Sequence, residues 1–181
     1  GSKGNAAYIR EMASPDPLFR PVIETFEDDF NPVGNVGDKL FFRTNRKAPN
    51  GRVVLVDPAG PGEANWKDML PEKPEVLMNA SLVGGKLLAV YMKDVSHRVY
   101  LYDTAGKLEN EVTLPTLGTV GGFAGKMDDQ VVFYTVTSFT FPPTIYQYDF
   151  GTKESKLYRK PEIDFNSDKY ETKQVFYKSK D

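Results

Sequence analysis

Apolar residues fall along this chain in short runs, none of helical length. Val, Tyr and Phe dominate the runs, and these residues suit the pleated, half-buried surface of a strand. Gly, Pro and Asp separate them at short intervals, so the pattern predicts many short strands joined by turns. The runs also repeat. "GRVVLVDPAG" (51–60), "HRVYLYDTAG" (97–106) and "PTIYQYDFGT" (143–152) place Asp57, Asp103 and Asp149 at spacings of 46 and 46. Val54, Tyr100 and Tyr146 keep that register, as do Arg52, Arg98 and Thr144. One period earlier, "NAAYIREM" (5–12) puts Tyr8 and Glu11 in the matching places and reads as a truncated fourth copy.

The remainder of each unit recurs too. Upstream come "GDKLFFRTN" (37–45), "GGKLLAVYM" (84–92) and "DDQVVFYTVTSF" (128–139), preceded by "FNPVGNV" (30–36), "LMNASLV" (77–83) and "GTVGGFAG" (118–125). Downstream, polar strands end near proline: "NWKDMLPE" (65–72), "ENEVTLPT" (109–116) and "SKLYRKPE" (155–162). Four short antiparallel strands in roughly 46 residues are the signature of a β-propeller blade. The expected fold is therefore all-β, a partial propeller of about three four-stranded antiparallel blades plus the end of a preceding one. Residues 1–18 hold a cloning scar (Gly1-Ser2) and the last strand or strands of the truncated blade. Residues 19–73, 74–115 and 116–161 are blades, and 162–181 form an exit strand. The glycines of 84–86 and 118–126 are expected to pack near the propeller axis. Asp57 to Gly60 and Asp103 to Gly106 place Asp first and Gly last, as a type I turn requires. Pro142 and Pro143 have no N–H for a sheet ladder, so they are expected in the hairpin between a second and a third strand, as Pro49 is.

Composition adds exclusions. With 181 residues, 40% hydrophobic and 27% charged, the chain suits one domain with a real core. A formal net charge of −2 gives no reason to expect nucleic acid, and no apolar run could span a bilayer. The absence of cysteine removes disulfides, thiolate catalysis and Cys-based zinc sites. The one histidine, His97, is expected in a solvated hairpin loop and not as a catalytic base. Glu27, Asp28 and Asp29 lack the ligand order of a calcium loop and read as a solvated connection. Neither glycine-rich stretch has phosphate-loop spacing. Arg52 and Arg98 are expected to pair with acids on a neighbouring blade, and Trp66 to pack between blades from an outer strand. No catalytic, metal or cofactor-binding residue is assigned, and no cofactor is expected. Arg10 is the single candidate for a group facing a substrate path.

Particular stretches resemble a family. "FYTVTSFTFPPTIYQYDF" (133–150), "FFRTNRKAPNGRVVLVD" (41–57), "WKDMLPE" (66–72) and "YETKQVFYKSKD" (170–181) are similar, in order, to segments of the prolyl oligopeptidases. The last resembles the linker from that family's propeller into its α/β-hydrolase domain. The resemblance, from about Asn5 to Asp181, implies a seven-bladed propeller that covers a serine-peptidase active site and admits short peptides for cleavage after proline. Such enzymes are cytoplasmic or periplasmic. It also implies that the catalytic domain of the same parent chain is the partner of these blades. The chain has no Gly-x-Ser-x-Gly elbow, so by itself it is expected to be non-catalytic. The alternative is a free-standing propeller that binds proteins or peptides. In either case the incomplete ring exposes sheet faces, and the isolated chain is expected to self-associate.

Overall fold

The computed structural model describes residues 4–13, 15, 18–162, 169–170 and 173–178. Fourteen strands form four antiparallel sheets among them. Sheet I pairs β1 (Ala7–Ile9) with β2 (Arg20–Ile23). Sheet II runs β3 (Phe30–Val36), β4 (Lys39–Thr44), β5 (Arg52–Val56) and β6 (Lys67–Leu70) in sequential order. Sheet III runs β7 (Val76–Val83), β8 (Lys86–Lys93), β9 (Ser96–Asp103) and β10 (Leu108–Val112). Sheet IV runs β11 (Thr119–Ala124), β12 (Val131–Ser138), β13 (Phe141–Asp149) and β14 (Glu154–Arg159). Each of the last three is a four-stranded up-and-down meander, the blade that the repeat predicts.

Sheet I corrects one expected boundary. Arg20–Ile23, placed by the sequence pattern in the 19–73 blade, pairs instead with Ala7–Ile9. In the repeat register these are the third and fourth strands of the truncated copy. Of the expected exit strand at 162–181, residues 163–168, 171–172 and 179–181 lie outside the described residues, as does Gly1-Ser2. Residues 173–178 carry no strand pairing.

The core lies between sheets, not within them. Val22 and Ile23 of sheet I meet Phe30, Phe42, Val54 and Val56 of sheet II. Phe41, Val53 and Leu70 on the other face of sheet II meet Leu77, Leu87, Ala89 and Tyr91 of sheet III. Leu88, Val90, Val99 and Leu101 on the far face of sheet III meet Val132, Tyr134, Val136 and Tyr148 of sheet IV. Successive residues of a strand face opposite ways, so Phe41 and Phe42 serve different seams. Trp66 stands just before β6 and packs on Phe30 in a tilted arrangement, ring centres 5.0 Å apart, joining the seam between sheets I and II. The sheets approach most closely along their first strands, β3 to β7 and β7 to β11.

The turns carry the expected chemistry. Gly60 N–H donates to Asp57 O and Gly106 N–H to Asp103 O, each at 3.0 Å. The carboxylates of Asp57, Asp103 and Asp149 each accept a backbone N–H two residues on, at 2.8 to 2.9 Å. Gly84 and Gly85 form the turn of the β7–β8 hairpin, at φ of +60° and +67°. A Cβ at Gly84 would come within 2.6 Å of Asp129 O in sheet IV, so a glycine is required there twice over.

The proline pair also differs from expectation. Ser138 pairs with Phe141, so the hairpin turn is Phe139-Thr140, and Pro142 and Pro143 lie inside β13. The next pair is Val136 with Thr144, which leaves the two prolines opposite Thr137 alone. They occupy a bulge, where a residue has no ladder partner and a missing N–H costs little.

The seam at Leu88 is enclosed on both sides, whereas its sheet IV counterpart Phe133 is only half-buried. We expect Leu88→Ala to cost about 3 kcal/mol in urea unfolding and Phe133→Ala less than half as much. Equal losses would show that the outer face of sheet IV is packed like an internal seam.

Candidate functional site

The innermost strands set the surface available to a ligand. Pro32, Asn35, Val76, Met78, Asn79, Thr119, Gly121, Gly122 and Ala124 are the exposed positions on β3, β7 and β11. They are small, polar or apolar, and none is charged. Asn79 accepts the N–H of Ala80 and stands 3.7 Å from where a Cβ on Gly122 would lie, so first strands of neighbouring blades nearly touch. Nothing on this edge can act as a nucleophile paired with a base. Among the described residues no cluster of His, Cys, Asp and Glu could hold a metal ion. No helix among them is long and apolar enough to cross a membrane.

Arg10 lies on the third strand register of sheet I, away from the innermost edge. Its counterparts one, two and three periods on are Val56, Tyr102 and Tyr148, all buried against a preceding blade. Arg10 is exposed on that face, where its Nη2 donates to Met12 Sδ at 3.3 Å and its guanidinium sits 5.3 Å from the Phe19 ring centre.

The recurrent arginines pair within their own blades, not across blades as expected. Arg52 reaches Asp68 at 2.9 Å and Arg98 reaches Glu111 at 3.7 Å. Each pair joins a third strand to the adjacent fourth, the nearest place where the repeat supplies a carboxylate. Asp28 pairs with Arg46 at 2.9 Å, so the acidic run is partly used to anchor the second-to-third-strand connection of sheet II.

His97 is the principal residue misplaced by sequence reasoning. It lies in β9 and is 7% exposed. Its N–H donates to Gly118 O at 3.0 Å and its Nδ1 accepts from Val120 N–H at 2.9 Å, both in the next blade. Two periods earlier, Asn5 makes the same connection. Its N–H donates to Asp28 O at 3.1 Å, and its Oδ1 accepts from Phe30 N–H at 2.9 Å. In sheet II the position is Gly51, and its neighbour Asn50 accepts Leu77 N–H at 2.7 Å instead. In sheet IV it is Pro143, which has no N–H to give. In sheets I, II and III the start of the third strand is thus a clasp onto the following blade, and the period of 46 was the signal that could have revealed it.

Comparison with known proteins agrees with this architecture. Residues 1–161 match the family model described as prolyl oligopeptidase, N-terminal β-propeller domain. The chain belongs to that family. It is 37% identical over 180 residues to a prolyl endopeptidase of Elizabethkingia miricola, and 36% identical to that of Elizabethkingia meningoseptica. Each alignment covers 99% of this chain and 25% of the relative, so the chain spans about a quarter of the length of the curated relatives it matches. A solved structure from a study of two prolyl endopeptidases superposes with a TM-score of 0.86 at 33% identity, covering 99% of this chain and 26% of that one. The blades here are thus prolyl oligopeptidase propeller blades.

Within this propeller segment His97 gives a defined pH response. Burial holds its pKa below the ordinary 6.5, and a proton on Nδ1 would displace the Val120 N–H. Between the folded and unfolded values the unfolded chain binds more protons. Stability is therefore fully present above 6.5 and lost as pH falls through the folded value. We expect the melting temperature to fall between pH 8 and pH 5.5. His97→Leu should flatten that slope and cost about 1–3 kcal/mol at pH 8, because Val120 N–H is left buried and unpaired. A wild-type melting temperature that is flat over this range would overturn the assignment.

Proposed function

We propose that this chain serves as propeller blades of a prolyl oligopeptidase-type serine endopeptidase that cleaves short peptides after proline. The carrying observation is the family match over residues 1–161, on a chain whose inner strands present an uncharged surface without a nucleophile and base. In this reading an α/β-hydrolase domain of the same parent chain supplies the serine, aspartate and histidine. The blades restrict access by standing around the path to them. Small, uncharged residues along the first strands suit a passage for extended peptides of varied sequence, since they offer no fixed charge to select against either sign. The compartment proposed is the cytoplasm or periplasm.

Arg10 is the proposed contributor to substrate access. Its guanidinium is exposed and meets the Met12 thioether and the Phe19 ring. The test is the natural gene product, assayed on a proline-containing fluorogenic peptide. Cleavage after proline is expected, with Arg10→Ala raising KM about two- to fivefold at unchanged kcat, as a solvent-screened charge contact allows. A natural product without a downstream Gly-x-Ser-x-Gly elbow, inert on the peptide, would leave a peptide- or protein-binding propeller in its place.

Self-association of the 181-residue chain is proposed on the open faces. Phe133 and Ile145 of sheet IV take the register of the buried Phe41 and Leu88, and of Val53 and Val99, yet are only half-buried. At the other end Leu18 and Phe19 are exposed at 70% and 63%. Light scattering at micromolar concentration is expected to show dimers or larger species, and Phe133→Lys to shift them towards monomer. A strictly monomeric wild type contradicts this.

A further inference from the structure

Lys73 lies in the crossover from β6 to β7, where a solvated lysine would be ordinary. Instead it is half-buried, with Nζ 4.9 Å from the ring centre of Tyr91, 5.2 Å from Tyr100 and 5.3 Å from Tyr102. Nζ also donates to Tyr102 Oη at 2.6 Å. Among the described residues no carboxylate forms an ion pair with it. An ammonium facing three aromatic rings within about 6 Å is held by their quadrupoles, and desolvation strengthens that attraction.

The rings are held by their own surroundings. Tyr91 is 1% exposed and Tyr102 4%, and Tyr91 meets Tyr100 edge-on at 5.8 Å. Tyr91 Oη is buried without a hydrogen-bond partner. Burial above all raises the phenols of Tyr91 and Tyr100, so both rings stay neutral. The lysine backbone is fixed from the other blade. Asn50 of the sheet II hairpin connection donates through Nδ2 to Lys73 O at 3.0 Å and Pro74 O at 3.1 Å, and its N–H donates to Glu72 Oε1 at 2.7 Å.

We infer that Tyr91, Tyr100 and Tyr102 form a binding site for small alkylammonium cations, which Lys73 fills from within as an internal ligand that ties the crossover to sheet III. The site is independent of the proposed peptidase role. It lies on the second and third strands of sheet III, at the seam with sheet II, and Asn50 and the cage grip the same residue from opposite blades. The ligand class follows from the geometry. The rings supply three π faces and the Tyr102 hydroxyl one acceptor, which suits an N–H-bearing cation of methylammonium size.

The test is chemical rescue on the full chain. Lys73→Ala and Lys73→Met are each expected to lower the melting temperature by about 2–8 °C. Methylammonium chloride should restore most of the loss in Lys73→Ala, more than sodium chloride at equal ionic strength, and should leave the wild type unmoved. In the wild type, NMR should place the Lys73 ε-methylene protons well upfield of free lysine, as expected over ring faces. That measurement decides the matter even where a variant does not fold. Lys73→Met as stable as wild type, rescue no better with methylammonium than with sodium, or unshifted ε-protons would each overturn the inference.

Discussion

Every feature of the molecule depends on burial of sheet faces against one another. A four-stranded antiparallel sheet has no interior, and the second and third strands of sheets II and III bury apolar residues on both faces. Leu87 and Leu88, consecutive in β8, are both fully buried, each in a different seam. Removing either neighbour would return one of those faces to water, at about 25 cal/mol for each Å² of apolar surface. Stability in such an array is a sum over blades and seams, so the outermost sheets are the least supported.

Hydrophobic contact is non-directional and does not fix how one blade sits on the next. The polar clasps do. Asn5 and His97 each join the start of a third strand to two backbone groups of the following blade, using different side chains for the same acceptor role. Both satisfy backbone N–H groups that would otherwise be buried unpaired, which is costly enough to define the register of the seam. Asn50 makes the corresponding bond with its carbonyl because Gly51 has no side chain to offer. A proline at the fourth position ends the series, and the local bulge accommodates it.

This division of labour bears on the role of the blades. In sheets II and III charged groups are used in pairs between adjacent strands, as at Arg52 with Asp68 and Arg98 with Glu111, and the exposed first-strand positions carry no charge. A scaffold whose ionic groups neutralise each other locally leaves its inner edge chemically bland. Such an edge can border a passage but cannot perform acid–base chemistry, which fits blades of a prolyl oligopeptidase propeller.

The sequence alone determined the sheet content, the blade repeat, the Asp-Gly turns and the family, because each rests on local patterning or on periodicity that survives in one dimension. Asp57, Asp103 and Asp149 needed only their neighbours to make their turns. What lay beyond one blade was decided by the tertiary structure. His97 follows a polar turn and looked solvated, yet the adjoining blade covers it. Arg20–Ile23 looked like the opening of a new blade, yet its pairing partner was thirteen residues back, in register Tyr8 to Pro21. Pro142 and Pro143 marked an interruption, but whether it was a loop or a bulge depended on which residues β12 set opposite them. Lys73 shows the same limit: its three tyrosines lie up to twenty-nine residues away and converge only because β8 and β9 pair. Periodicity fixes which positions are equivalent, but packing decides what each of them touches.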